Sequence, residues 1–155
     1  MYTTRFATLE EIPKLVECWT KMTIEMSEPD GTPLPTDERI TEIYEIFEAR
    51  IKDGSLIFRV AVDDNGEIAA CAGGLIRYDY MWPLSKDPSP VGWVVSVYTD
   101  HNHRKQGLAN KIVNEVCEWL QQKEVSMIRL WASKQGKPTY EKLGFEQSSF
   151  MEKFI

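Results

Sequence analysis

Residues 94–113 read VVSVYTDHNHRKQGLANKIV, and within them the pattern changes from that of a strand to that of a helix. Residues 92–99 (GWVVSVYT) are mostly apolar and rich in β-branched and aromatic side chains, as buried strands are. After a polar link, apolar residues recur at helical spacing. They are Leu108, Ile112, Val113, Val116 and Leu120. A buried strand that leads into an amphipathic helix predicts the first half of a β-α-β unit.

The link into this helix, RKQGLA at residues 104–109, has the properties of an anion site. Backbone N–H groups in the first turn of a helix have no acceptor within the helix, and the helix dipole is positive there. Gly107 lets the backbone approach a pyrophosphate without a Cβ in the way, and Ala109 keeps the next turn small. Arg104 and Lys105 add positive charge, and Arg can bind phosphate through two parallel hydrogen bonds. The alternative is an ordinary helix start with a solvated basic pair.

Outward from this centre, the chain predicts ten elements in the order β-α-α-β-β-β-α-β-α-β. The strands are expected at 5–8, 55–62, 67–77, 92–99, 126–132 and 147–155, and the helices after Thr8, Thr36 and Gly107 and at 138–143. This order predicts a mixed α/β (α+β) fold in one domain spanning 1–155. Its central sheet is mainly antiparallel and flanked by helices, with a β-α-β unit around the third helix. Gly73 and Gly74 fall inside a strand, which indicates a bulge or a close backbone contact.

Composition and charge argue against several classes of protein. Hydrophobic residues make up 43% and charged residues 27%, as in globular proteins, and no apolar run could span a bilayer. The first residues lack the pattern of a signal peptide, so we expect a cytoplasmic protein without a membrane partner. The formal net charge of −6 and the lack of clustered Lys and Arg argue against nucleic acid as a partner.

The cysteines and histidines predict neither a disulfide framework nor a metal site. Cys18, Cys71 and Cys117 are scattered in apolar patterns without a CxxC pair, which is typical of buried thiols in a reducing compartment. His101 and His103 form an H-x-H pair, but no Cys or further His supports them as metal ligands.

Two segments, in this order, resemble motifs of the GNAT superfamily of N-acetyltransferases. VYTDHNHRKQGLA at 97–109 resembles the family's acetyl-CoA pyrophosphate loop, with its pattern Gln/Arg-x-x-Gly-x-Gly/Ala. ASKQGKPTYEKLGF at 132–145 resembles a later motif, in which an aromatic residue precedes a Gly-Phe pair on a short helix. The order of elements extends the resemblance over nearly the whole chain. It implies transfer of an acetyl group from acetyl-CoA, without a metal, to a primary amine that attacks directly in a ternary complex.

The resemblance also implies particular residue roles. In the family, pantetheine lies along the strand before the loop like an added strand, and loop amides hold the pyrophosphate. A strand amide near Val97 would stabilise the oxyanion. Tyr140 aligns with a tyrosine that many members use as general acid, with a core aromatic as the alternative. Ser133 falls where many members carry Asn. The cofactor-binding residues implied are Val97, Tyr98, Thr99, Arg104, Lys105, Gln106, Gly107, Leu108, Ala109 and Ser133.

The general base and the acceptor pocket stay open at this point. An alkyl amine is mostly protonated at neutral pH and must lose a proton before attack. The strand at 92–99 carries no acidic residue. Candidates are Asp79, Asp100, His101 and His103, although such residues are more often solvated loop residues. The loops at 27–35 and 80–90 would flank the acceptor, and Tyr78, Tyr80 and Trp82 would either line its pocket or anchor the second loop.

Several functions are compatible with these residues. A small-molecule amine is the leading acceptor, and a protein amine, either a Lys side chain or an N-terminus, is the alternative. A non-catalytic acyl-CoA-binding regulatory module is a second alternative, and a nucleotide-binding or interaction protein a third. The residues leave the oligomeric state open, and because many family members form homodimers, a second copy of the chain is one of the partners considered.

Overall fold

A central sheet of five strands in the order β1-β2-β3-β4-β5 organises the molecule. A computed structural model describes residues 1–80 and 87–155 of the protein. The strands are β1 (Thr3–Phe6), β2 (Leu56–Val62), β3 (Ile68–Asp79), β4 (Ser89–Thr99) and β5 (Ile128–Leu130). Neighbouring strands are antiparallel except β4 and β5, which are parallel. The mixed α/β class, the mainly antiparallel sheet and the β-α-β unit are therefore confirmed.

In the described part of the chain, four α-helices flank this sheet. They are α1 (Ile12–Met26), α2 (Asp37–Lys52), α3 (Leu108–Gln122) and α4 (Lys137–Lys142). Thr36 caps α2 as its position predicts, since its Oγ1 accepts a hydrogen bond from the Arg39 N–H at 3.1 Å. At the start of α1, the Thr8 N–H donates to Glu11 Oε1 at 2.8 Å, one half of the capping box that the sequence predicts. Within the described ranges, none of the helices has the length and apolar character that crossing a membrane requires.

Two hydrophobic cores lie on opposite faces of the sheet. The first, between the sheet and the α1–α2 pair, includes Leu15 and Phe58. The second, between the sheet and α3, includes Ile112, Val116 and Leu120, each fully buried. The apolar face that the sequence predicts for α3 is therefore the face that packs against the sheet.

The three cysteines are free. Cys18 and Cys71 are buried in the first core, as their apolar surroundings predict. Cys117 on α3 is only half-buried, and burial raises the pKa of its thiol to about 11. A thiol with a raised pKa stays protonated at neutral pH and is a poor nucleophile.

A β-bulge interrupts the pairing of β3 and β4. Cys71 pairs with Tyr98 and Gly73 pairs with Val95, so β4 has one residue more than β3 in this interval. At the bulge Ser96 has a φ of 52°, in the left-handed region that residues other than Gly rarely adopt. The Cys71 thiol donates to the Ser96 carbonyl oxygen at 3.5 Å, which helps to hold the bulged backbone.

Gly73 and Gly74 allow two close approaches at this place. A Cβ on Gly73 would lie 2.8 Å from Val95 Cγ2 and 3.1 Å from the Val95 carbonyl oxygen. A Cβ on Gly74 would lie 2.9 Å from Val116 Cγ1 on α3. The interpretation of these glycines as sites of a bulge and of close contact is confirmed.

The predicted strand at 147–155 is wrong, because these residues have no strand pairing in the structure. Four large apolar side chains of this segment are exposed. They are Phe150, Met151, Phe154 and Ile155. A strand needs a partner edge as well as a suitable composition, and the edge strand β5 covers only Ile128–Leu130, too short to pair with nine residues. Other predicted boundaries shift by up to a few residues, and Trp82 lies outside the described residues.

Replacing Gly73 with Ala is expected to lower the free energy of unfolding by about 1–3 kcal/mol, because the added methyl overlaps Val95. In the double variant Gly73→Ala/Val95→Ala the nearest colliding carbon is gone. The double variant should therefore lose less stability than the sum of the two single variants. Urea unfolding followed by circular dichroism checks both expectations, and strictly additive losses would contradict the close approach.

Candidate active site

The groove where β4 and β5 diverge is the first component of the site. The last pair between these strands is Val94 with Leu130. Beyond it β4 continues to Thr99 with β3 as its partner on the other side, while residues 131–133 leave the sheet. One edge of β4 is therefore open over 95–99, and its backbone groups can pair with an extended ligand as an added strand would.

The N-terminus of α3 is the second component. Lys105 has a φ of 63° and Gly107 a φ of 75°, and left-handed residues in such a link form a concave arrangement of N–H groups that favours anions. No acceptor in residues 1–80 or 87–155 receives a hydrogen bond from the N–H groups of 105–110. A Cβ on Gly107 would meet nothing within 4 Å, so glycine is favoured here by its φ and leaves room for a ligand.

The Arg104 side chain donates hydrogen bonds to residues of α1 and β4. Its Nη2 donates to Glu25 Oε2 at 2.6 Å, and its Nε donates to the Thr99 carbonyl oxygen at 3.0 Å. The guanidinium carbon also lies 5.5 Å from the centroid of the Tyr98 ring. The sequence predicts this side chain as a source of positive charge for a phosphate, and in the structure Glu25 neutralises part of that charge.

Glu25, on the last turn of α1, also accepts a hydrogen bond from the Tyr98 hydroxyl at 3.0 Å. Burial, followed by the hydrogen bond to Glu25 and its charge, raises the pKa of Tyr98 to about 12. Sequence reasoning missed Glu25, because only the apolar face of this helix carries a recognisable pattern. The three side chains of Glu25, Tyr98 and Arg104 fasten α1 to the link before α3.

A cleft of about 460 Å³ lies beside this network, on the α1 side of the link. Its lining residues are Lys21, Ile24, Glu25, Tyr98, Asp100, His101, Asn102 and His103. A second cleft of about 510 Å³ lies between α3 and the segment after α4. The first cleft includes Tyr98 from the open edge of β4, and the second includes Ile128 of β5 but no residue of β4.

Tyr140 and Ser133 lie on the other side of the groove, at α4. The Tyr140 ring packs edge-on against Phe145 with the centroids 6.1 Å apart, and no described residue hydrogen-bonds to its hydroxyl. Burial raises the pKa of Tyr140, so the hydroxyl is protonated at neutral pH. Ser133 Oγ accepts a hydrogen bond from the Gly136 N–H at 3.0 Å, which stabilises the turn that leads into α4.

The two carboxylates considered as a general base are both ion-paired. Asp79 lies 3.5 Å from Arg129 on β5. Asp100 lies between Lys14 and Lys21 of α1, at 4.0 and 3.6 Å. Each is therefore used to join elements of the fold, and neither lies on the open edge of β4.

The two histidines follow Asp100 in a single 3-10 turn (His101–His103). Tyr2 shares a hydrogen bond of 2.8 Å with His103 Nδ1, and His101 is exposed. Within the described ranges, no group of His, Cys, Asp and Glu side chains could hold a metal ion.

A pair of tryptophan side chains on the α1–α2 face of the sheet was not predicted from the sequence. The rings of Trp93 and Trp131 stack with their centroids 6.3 Å apart and their planes at 26°. Among the described residues, no group accepts a hydrogen bond from the buried Nε1 of Trp93, a deficit that costs about 1–3 kcal/mol. Tyr78 and Tyr80, which the sequence suggested for the acceptor side, are 71% and 54% exposed.

A family model described as the acetyltransferase (GNAT) family matches residues 19–145. The chain belongs to this family. The resemblance noted in the sequence is confirmed, and with it the assignment as an acyl-CoA-dependent N-acyltransferase. The matched range includes the open edge of β4, the N-terminus of α3 and Tyr140, which together form the groove described above.

Solved structures of acetyltransferases share the fold over the whole chain. A predicted acetyltransferase from Clostridium acetobutylicum, solved with acetyl-CoA, has a TM-score of 0.86 at 22% identity, covering 100% of this chain and 96% of that one. A GCN5-related N-acetyltransferase from Ralstonia eutropha has a TM-score of 0.81 at 18% identity, with coverage of 100% and 99%. Glucosamine-6-phosphate N-acetyltransferase from Arabidopsis thaliana has a TM-score of 0.72 at 20% identity, with coverage of 100% and 98%. No curated protein matches the sequence.

Replacing Glu25 with Gln is expected to lower the pKa of Tyr98 from about 12 toward its ordinary value, because the carboxylate charge disappears while an amide oxygen still accepts the hydrogen bond. The decrease should be partial, since burial is the larger cause. NMR titration of protein labelled with ¹³Cζ-tyrosine measures it. Glu28→Gln, which removes an exposed carboxylate just beyond the same helix, is the control, and equal Tyr98 pKa values in both variants would contradict the network.

Proposed function

We propose that this protein transfers the acetyl group of acetyl-CoA to a primary amine of a small molecule by direct attack in a ternary complex. The observation that carries the proposal is the position of N–H groups at the start of α3, which have no acceptor among the described residues, next to the open edge of β4. Acetyl-CoA has a pyrophosphate near one end and an extended pantetheine arm that leads to the thioester. A helix N-terminus followed by a free strand edge fits both parts of such a molecule.

The residues expected to hold acetyl-CoA follow from this arrangement. Backbone groups of 97–99 would pair with the pantetheine arm, and the amides of 104–109 would bind the pyrophosphate, with Ser133 on the opposite wall. The Thr99 carbonyl already accepts a hydrogen bond from Arg104 Nε, which fixes the end of the edge. Because Glu25 partly neutralises Arg104, we assign the pyrophosphate chiefly to backbone amides and to Lys105.

Acetyl-CoA supplies an acyl carbon activated by its thioester bond. As the amine attacks, the new C–N bond forms, the C–S bond breaks, and negative charge develops first on the thioester oxygen. A backbone N–H at Val97, next to the bulge, is proposed to stabilise that charge. Tyr140 is proposed to donate its hydroxyl proton to the departing sulfur, while the proton that the amine loses passes to solvent, from which Tyr140 is reprotonated. Its hydroxyl is protonated at neutral pH, and no described residue hydrogen-bonds to it.

The remaining parts of the proposal concern the chain as a whole. We propose that residues 1–155 form one acetyltransferase domain, which the coverage of the compared structures supports. We further propose a cytoplasmic location, for which the three free cysteines are the supporting observation.

Calorimetric titration should show saturable binding of acetyl-CoA, with ATP as the comparison ligand. Gly107→Glu is expected to weaken acetyl-CoA binding by about 100-fold or more, because a carboxylate then faces the pyrophosphate in place of an open space. Gly66→Glu is the matched control, since Gly66 has a φ of 81° and an equally open environment in a hairpin turn. Equal acetyl-CoA affinity of the two variants, or no binding to the wild-type protein, would overturn the assignment of this loop.

Replacing Tyr140 with Phe is expected to lower kcat by about 10²-fold, the lower end of the range for general acids, because the departing sulfur loses its proton donor. Affinity for acetyl-CoA and stability should change little, since no described residue hydrogen-bonds to the hydroxyl. Release of free thiol from acetyl-CoA with a panel of amines gives the rate. Tyr44→Phe on α2 is the control. Unchanged kcat in Tyr140→Phe would exclude this role, and acetyl-CoA binding without transfer by the wild-type protein would indicate a binding module.

A further inference from the structure

A row of side chains projects from the sheet beyond the end of the α1–α2 core. Leu75 and Val95 pack against that core, and side chains alternate between the faces of a strand. Arg77, two residues after Leu75, and Trp93, two residues before Val95, therefore share the face but lie farther out. Arg77 is exposed, and Trp93 is part of neither hydrophobic core. Neither hydrophobic core of the described residues thus covers this surface of the sheet, next to the place where β4 and β5 diverge.

Two of these side chains, Arg77 and Trp93, form a layered arrangement with Trp131, which we call the Arg77–Trp131 stack. The guanidinium carbon of Arg77 lies 5.9 Å from the ring centroid of Trp93. Trp93 in turn stacks on Trp131, which is 70% exposed. Flat faces of this kind bind a hydrocarbon chain or ring of a ligand, and an arginine at one end supplies charge and directed N–H donors.

The stack has positive charge that the described protein does not neutralise. Arg129 on β5 pairs with Asp79 at 3.5 Å, and the Phe150 ring lies 4.5 Å from its guanidinium carbon. Arg77 forms no ion pair with any residue of 1–80 or 87–155. In a chain of net charge −6, an arginine that is left without a carboxylate beside two tryptophans points to an anion from outside the protein.

An unpaired donor lies in the same stack. The Nε1 atom of Trp93 is buried, and no described group accepts its hydrogen bond. Indole N–H groups are donors only, and buried ones normally have an acceptor. Within residues 1–80 and 87–155, the Arg77 side chain has no carboxylate partner and Trp93 Nε1 has no hydrogen-bond acceptor. A carboxylate or a phosphate has enough oxygen atoms to accept hydrogen bonds from both side chains.

The distance along β4 sets the size of a ligand that reaches from this stack to the reacting group. Trp93 precedes Val97 by four residues, and at about 3.3 Å per residue the separation is roughly 13 Å. The Arg77 and Trp93 side chains extend over part of that interval. An acceptor whose amine lies near Val97 and whose anionic group lies at Arg77 therefore has several bonds between the two groups.

We propose that the acceptor is a primary amine that carries a carboxylate or phosphate several bonds from its nitrogen, and that Arg77 and Trp93 bind that anionic group. The inference rests on the proposed function, since it names the class of amine that the same site takes. The face of Trp131 binds the carbon chain between the two ends. The preference for anionic over uncharged acceptor chains then depends on an ion pair beside an aromatic surface. It weakens as the salt concentration rises.

The test compares amines of equal chain length. These are 6-aminohexanoate, 6-aminohexyl phosphate and hexylamine, whose nitrogens have similar basicity and differ in the group at the other end. We expect kcat/KM for at least one anionic amine to exceed that for hexylamine by about tenfold or more, mainly through KM. In Arg77→Met this ratio should fall to about one, and Arg77→Lys, which keeps the charge but not the planar fork, should retain part of it. Arg39→Met on α2 is the control and should leave the ratio unchanged.

A binding measurement makes the result independent of catalysis. The indole N–H resonance of Trp93, assigned by its loss in Trp93→Phe, should shift on titration with the anionic amines and not with hexylamine. If acetyl-CoA binds and this resonance does not respond, or if hexylamine is acetylated as efficiently as the anionic amines, the inference is overturned while the proposed function stands. If acetyl-CoA does not bind, the proposed function fails, and the resonance still reports whether the anion site exists. A higher kcat/KM for 6-aminohexyl phosphate or for 6-aminohexanoate shows which of the two anionic groups the site prefers.

Discussion

At Val94 the ladder between β4 and β5 stops, while β4 keeps β3 as its partner as far as Thr99. This divergence creates a backbone edge that no other described strand pairs with, shortly before the N-terminus of α3. The bulge at Ser96 turns β4 at the same place, and Gly73 makes room for it on β3. The open edge and the groove between β4 and β5 depend on this interruption of the sheet.

The site is also fixed from outside the groove. Glu25 on α1 holds both Arg104 and Tyr98, so the link before α3 is tied to a helix on the other face of the sheet. Lys14 and Lys21 of the same helix pair with Asp100 at the start of that link. These contacts with α1 hold both ends of a short link in which Lys105 has a left-handed backbone, and they help to preorganise the anion-binding amides.

What could be predicted from the sequence was mainly local. The strand at 92–99 and the buried face of α3 were predicted from the spacing of apolar side chains. Gly107 was recognised because the start of a helix that binds an anion needs a residue without a Cβ. The ion pair of Glu25 with Arg104 joins residues far apart in the chain, and no local pattern marks it. Arg77 and Trp93 come close together only through the register of β3 and β4, which pairs Arg77 with Val91 and Trp93 with Leu75. The strand expected at 147–155 failed for a related reason, since strand propensity does not reveal whether a free edge is near enough to pair.

The short length of β5 lowers the tendency of these molecules to pair edge to edge at high concentration. A long, flat edge strand is a template for the sheet of another molecule, and native proteins often avoid such templates by keeping edge strands brief. Here the outer edge beyond β4 is only Ile128–Leu130 long, so it offers few backbone groups to a neighbour. The apolar segment that follows α4 also carries Glu152 and Lys153 between its large side chains, and charges in such positions suppress fibre-like stacking. The groove of β4 can thus stay open for a ligand without making the whole sheet prone to aggregation.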